Sequence, residues 1–158
     1  MIEHLLIFRD NGLLLLKKRL VDTEEKETDD LVSGFFSVLF QFFTKHFGDI
    51  QSIKTSKNLI LISKVHDVYV ALISAWITDE SQLKINNNTW FLNKRLEEIA
   101  INAMNYIKHK LNPFLKNLDL NDGKIYPNTK TLNDLQLVID ETLEKEIQKM
   151  NIIRSITG

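Results

Sequence analysis

Four histidines, His4, His46, His66 and His109, are the side chains best suited to metal ligation or proton transfer near neutral pH. A helix-borne metal pair needs two such ligands at i and i+4, and none of the four stands at that spacing. His66-Asp67 has the composition of a base with an orienting carboxylate. Sequence neighbours on an extended chain point to opposite sides, however, and no nucleophile is implied beside them. The pair reads as a tight turn, as do Asp10 and Asn11, whose side chains suit turn geometry. Cysteine is absent, which removes thiolate metal sites, disulfides and a cysteine nucleophile. With five glycines there is no phosphate-cradling loop, no G-x-G-x-x-G and no G-x-S-x-G. The expectation is a protein that is not an enzyme, with no catalytic residue, no metal and no cofactor.

Composition agrees with an ordinary globular domain. Of 158 residues, 26% are charged and 44% hydrophobic, and the formal net charge is −1. Nucleic-acid partners usually call for a basic patch or stripe, so none is expected. There is no uncharged run long enough to span a bilayer, and the first residues lack the features of a signal peptide. One domain over residues 1–158 is expected, in the cytoplasm or peripheral to a membrane through partners.

The elements that would position any surface feature are legible in order. Asp10-Asn11-Gly12 lies between the apolar runs 2–8 and 13–16, and Asn-Gly between strand-like segments is a strong hairpin signal. Residues 50–55 (IQSIKT) are polar enough for an edge strand. The runs 58–65 and 68–77 are strands joined at His66-Asp67. Strands this continuously apolar are usually covered on both faces, which predicts helices on both sides of the sheet. The acidic stretch 22–30 reads as a solvated loop in which Asp29 or Asp30 caps the following helix. A second helix is predicted over residues 88–111, ended by Asn112-Pro113. A third begins near Thr131, with Asp134 in a capping-box-like position, and continues to about Met150.

The first helix, residues 31–47 (LVSGFFSVLFQFFTKHF), holds six of the nine phenylalanines. At 100° per residue its apolar side chains cover roughly 200°, twice the stripe a helix needs to lie on a sheet. With Leu39 near the centre, Val38 and Phe42 form one margin, and Phe36, Phe40 and Phe47 the other. One margin is left over, and Phe36, Phe40, Phe47, Val38 and Phe42 are the candidate protein-interface residues, since large exposed aromatic patches are rare on monomers. His46 falls in the same arc and reads as a histidine near the helix carbonyl ends.

The order strand, Asn-Gly turn, strand, helix, three strands, two helices resembles the longin domain of the wider longin/roadblock group. The segment LVSGFFSVLFQFF…IQSIKTSKNLILISKVHDVYVALIS, with Ser33-Gly34 in the helix and the strand ending at Ser74, is most similar to the first longin domain of the Mon/Fuzzy/Hermansky–Pudlak proteins. The resemblance implies an α+β (α/β sandwich) fold, a five-stranded antiparallel sheet with one helix on one face and two on the other. It also implies a dimerising adaptor, paired with itself or another longin/roadblock-type domain, that binds or regulates a small Ras-like GTPase or a membrane-trafficking complex. The chain shows neither the coiled coil nor the anchor of longin SNAREs. A profilin- or PAS-like small-molecule sensor is the alternative, and would need a pocket lined by converging polar groups.

Overall fold

The computed structural model describes residues 2–9, 13–19, 29–48, 51–76, 89–116 and 129–140, together with 145, 148 and 149. Five strands form one antiparallel sheet: β1 (Ile2–Arg9), β2 (Leu14–Arg19), β3 (Ser52–Lys54), β4 (Asn58–Val65) and β5 (Val68–Ala75), in the spatial order β2-β1-β5-β4-β3. Two hairpins, β1–β2 and β4–β5, lie side by side and meet through β1 and β5. Helix α1 (Asp29–His46) carries the chain across one face, from the β2 edge to the β3 edge. Helices α2 (Thr89–Lys116) and α3 (Thr129–Val138) cover the other face. This is the expected α+β sandwich, one helix against two.

The sheet is apolar on both sides because its strands are. Leu6, Phe8, Ile62 and Ala71 face α1, whereas Leu5, Ile7, Leu59, Leu61, Val70 and Leu72 face α2 and α3. Two irregularities adjust this alternation. Between Ile2 and His4 the pairing of β1 with β5 slips by one residue, which places both Ile2 and Leu5 on the α2 face despite their odd spacing. A second slip at Ile7/Phe8 lets neighbouring Leu15 and Leu16 join that same core. The non-alternating leucine run therefore has a geometric reason.

The β1–β2 hairpin is closed by Arg9 N–H donating to the Leu13 carbonyl at 2.9 Å. Asp10-Asn11-Gly12 lie outside the described residues, as does most of the acidic stretch before α1; Asp29 and Asp30 open that helix. His66 has φ of 53°, a left-handed conformation suited to the two-residue connection between Val65 and Val68. It is a turn residue, exposed, with nothing about it that suggests a hydrolase base.

Two boundaries need correction. Asn112-Pro113 does not end α2, which continues to Lys116 with Pro113 inside it. Proline removes one helical N–H and crowds the preceding turn, but Leu111 and Leu115 on either side of it are both buried against the sheet, and that burial offsets the loss. Helix α3 starts at Thr129, so Asp134 lies within it and is exposed rather than at a cap. Past Val138 the helix widens into a π turn at Ile139–Asp140, and Lys145, Gln148 and Lys149 are again helical, in keeping with the expected run toward Met150.

That π turn places Asp140 beside β2. Its Oδ1 accepts from Lys18 Nζ at 2.7 Å and from Gln136 Nε2 at 2.8 Å. The Lys18 ammonium, followed by the Gln136 amide, holds the Asp140 carboxyl below its ordinary range. A depressed carboxylate contributes stability above its ordinary titration and loses it as pH falls through the folded value. Because the pair is partly exposed, that contribution is at most about 1 kcal/mol. In urea titrations Asp140→Asn is expected to be less stable than the wild type at pH 6 to 7, and the gap should close as pH falls below about 4. A gap independent of pH would show that the ion pair is not what the substitution removes.

Candidate protein-interaction site

The surface that distinguishes this molecule is built on α1, and its geometry follows from how that helix is seated. Phe8, fully buried on β1, rises from the sheet into a stack with Phe36 (ring centroids 6.5 Å apart), Phe40 (6.0 Å) and Tyr69 (5.6 Å). Phe36 and Phe40 stack on each other at 5.7 Å, and Phe40 meets Tyr69 at 5.2 Å. Ser37, small enough to let the helix approach closely, is buried beside them. The C-terminus is closed by Phe47 and Gly48 N–H groups donating to the Phe43 carbonyl, with Gly48 at φ of 100°, a conformation glycine adopts without strain.

This seating revises the expected interface. Phe36 and Phe40 are 5% and 2% exposed, so they belong to the core and present no surface to a partner. Leu39, expected at the centre of the buried arc, is only half-buried. The helix is rolled by roughly a quarter turn from the centre of its apolar arc, toward its small serine side. What remains outside is therefore more than a margin. Phe47 (76% exposed), Val38 (69%) and Phe42 (53%) are joined by Phe35 and Phe43, which the sequence reading did not single out.

Three of these side chains form a cluster at the helix end. Phe42, Phe43 and Phe47 have ring centroids 5.5 to 6.3 Å apart, and the exposed His46 ring lies 4.8 Å from Phe42. Taking the usual area of a phenylalanine side chain, the exposed apolar surface is on the order of 500 Å², at the upper end of what monomers show.

A second feature lies where the sheet edge is incomplete. A cleft of about 590 Å³ runs around the end of β3, between Phe40 and Thr44 of α1 and Ile101, Met104, Asn105 and Lys108 of α2. It opens at the sheet edge, while the space between sheet and helices is filled by two apolar clusters. The small-molecule sensor reading asks for a pocket lined by converging polar groups, and this open cleft, with Gln51, Ser63, Glu97, Asn105 and Lys108 on its walls, is where it would apply. The described residues contain no group of three or more histidines and carboxylates able to hold a metal ion, and no helix long and apolar enough to cross a membrane.

No family model matches the chain, and no curated protein matches it. Similar folds occur among solved structures. Gliding protein MglB from Thermus thermophilus is 9% identical with a TM-score of 0.43, over 53% of this chain and 68% of that one. A Roadblock/LC7 domain from Streptomyces avermitilis is 15% identical with a TM-score of 0.39, over 63% and 86%. Myxococcus xanthus MglB is 17% identical with a TM-score of 0.39, over 61% and 85%. None of these three is a Mon/Fuzzy/Hermansky–Pudlak protein.

The two sets of phenylalanines on α1 should respond oppositely to truncation. Phe40→Ala, which empties the stack on Phe8, is expected to lower unfolding stability by about 3 kcal/mol or more. Phe42→Ala should change it by less than about 0.5 kcal/mol. Chemical denaturation of the two variants checks this, and a comparable loss in both would place Phe42 in the core.

Proposed function

We propose that this chain is a non-catalytic, longin-like interaction module spanning residues 1–158. In this reading it pairs with a second copy or with another longin/roadblock-type domain through the exposed face of α1, and binds or regulates a small Ras-like GTPase or a membrane-trafficking complex. It works in the cytoplasm, with any membrane association made through partners. The observation that carries the reading is the set of exposed apolar side chains Phe35, Val38, Phe42, Phe43 and Phe47, left open on a helix that is seated on the sheet through Phe36, Ser37 and Phe40. An exposed aromatic cluster in water gains by covering itself, and interfaces favour aromatic residues at their centres. Its area is somewhat below the roughly 800 Å² per partner of a standard stable interface, so neighbouring polar surface such as Gln41 and Lys45 completes the contact. The GTPase assignment rests on the resemblance of element order alone, and the choice between a trafficking complex and another GTPase system rests there as well.

Light scattering at increasing concentration is expected to show self-association, or association with a co-expressed longin/roadblock-type subunit. Phe42→Asp should weaken it by at least about tenfold while leaving the circular dichroism spectrum and unfolding midpoint unchanged. Small GTPases from the same genome, loaded with GDP or a GTP analogue, provide the second arm. A strictly monomeric wild type that binds none of them would remove the proposal.

A further inference from the structure

The outward side chains of α1 follow a repeat of their own. Phe35, Val38 and Phe42, all more than half exposed, stand three and four residues apart, and Leu31 and Lys45 continue that spacing in the sequence. Such an alternation is the seam along which one helix packs on another, each side chain entering a hole between four residues of the facing helix. A helix that had only to lie on its own sheet would need an apolar stripe on one side.

A recess lies on the flank of this seam. Gly34 is inside the helix, and among the described residues nothing lies within 4 Å of where its Cβ would stand. Its φ is not in the left-handed region, so the backbone does not call for glycine there. A glycine within a helix is less favourable than alanine, and the described residues show no neighbour that needs the missing side chain. Val38 stands midway between recess and ring: Gly34 precedes it by four residues and Phe42 follows it by four. The charges at the helix ends share that symmetry, with Asp30 eight residues before Val38 and His46 eight after. Asp29 and Asp30 open the helix, and Lys45 and His46 close it. A face whose protrusion and recess are equidistant from one residue fits itself after half a turn about that residue, as a two-fold interface requires.

We propose that the occupant of this face is a second copy of the chain, its α1 laid antiparallel on the first about a two-fold axis at Val38. The inference rests on the reading of α1 as the interaction surface, and names its partner and arrangement. Phe42 of each copy enters the hole beside Gly34, Phe35 and Val38 of the other, where the absent side chain leaves room for a ring. Phe35 enters the hole between Val38, Gln41, Phe42 and Lys45. The last turn of each helix, with Lys45 and His46, comes beside the first turn of the other, with Asp29 and Asp30, and opposed helix dipoles add to that attraction. A parallel pair would set like charges together at both ends and Gly34 against Gly34, with the recess unfilled. The two sheets lie on the outer sides of the paired helices. With roughly 500 Å² of apolar surface per copy, the pair falls at the low end of specific interfaces, so association is read over a concentration series.

The full chain contains no cysteine, so single cysteines report the arrangement without background. On mild oxidation Val38→Cys is expected to form a covalent dimer, because its two thiols meet at the axis. Phe35→Cys alone and Phe42→Cys alone should crosslink at least about tenfold more slowly, since each pair stands roughly 10 Å apart along antiparallel helices. An equal mixture of those two variants should crosslink as Val38→Cys does. Gly34→Gln fills the recess with a good helix former. It should weaken self-association in sedimentation by about tenfold or more while raising the urea midpoint. Fast crosslinking of Phe35→Cys and Phe42→Cys each with itself would overturn the antiparallel arrangement. Undiminished association of Gly34→Gln would overturn the seating of Phe42. A monomeric wild type that binds another subunit or a GTPase, and loses it on Phe42→Asp, would overturn the second copy and leave the α1 reading standing. Self-association unchanged by Phe42→Asp would overturn both.

Discussion

The stack of Phe8 with Phe36, Phe40 and Tyr69 is the contact on which the rest of this surface depends. Phe8 stands on an inner strand and is wholly buried once Phe36 and Phe40 stack on it. Burial of each such ring is worth about 1.5 to 3 kcal/mol, and offset stacking adds roughly 0.5 to 1.5 kcal/mol per pair. The exposed phenylalanines of α1 could offer the sheet similar burial but would meet no ring positioned to stack. The roll of the helix follows from that difference, and the exposure of Phe35, Val38 and Phe42 follows from the roll. An exposed aromatic surface is thus created as the by-product of packing on the opposite side of the helix.

The sheet itself shows how apolar both faces must be for that arrangement to hold. β5 lies at the centre with β1 and β4 on either side, and all three bury alternate residues against different helices. Where strict alternation would have sent a leucine to the wrong side, a local slip in register corrects it, at Ile2/His4 and at Ile7/Phe8. The edges are treated differently. β2 ends in Lys17, Lys18 and Arg19, charges that discourage edge-to-edge pairing, and α3 is tied across it by Asp140. β3 is only three residues long, so most of the protection at that edge comes from shortness.

The order of strands and helices was readable from local signals, because each rests on short-range chemistry: a continuous apolar run, a His-Asp turn, a 3.6-residue stripe. The two-sided covering of the sheet was readable for the same reason. Pro113 was misleading because the rule against proline in helices is local, whereas the burial of Leu111 and Leu115 that overrides it is tertiary. Asp134 was misread by the same route, since the helix begins earlier than its capping pattern suggested. Of the five candidate interface residues, Val38, Phe42 and Phe47 are exposed, whereas Phe36 and Phe40 are buried. Which side of a 200° apolar arc faces inward is decided by what rises from the sheet to meet it, and nothing in residues 31–47 records the position of Phe8.

The incomplete edge has an equally specific cause. At one end, β3 is anchored by the turn into β4: Thr55 N–H donates to the Asn58 carbonyl at 2.9 Å, Asn58 N–H donates to Thr55 Oγ1 at 2.9 Å, and Trp76 Nε1–H donates to the Thr55 carbonyl at 2.9 Å. At the other end, α1 closes at Gly48, so the chain has only a few residues in which to pass from the helix to Gln51 at the edge. A longer β3 would need α1 to stop sooner, and that would remove Phe43 or Phe47 from the last turn and the exposed cluster with them. The length of the aromatic helix and the shortness of the edge strand are therefore one constraint seen twice.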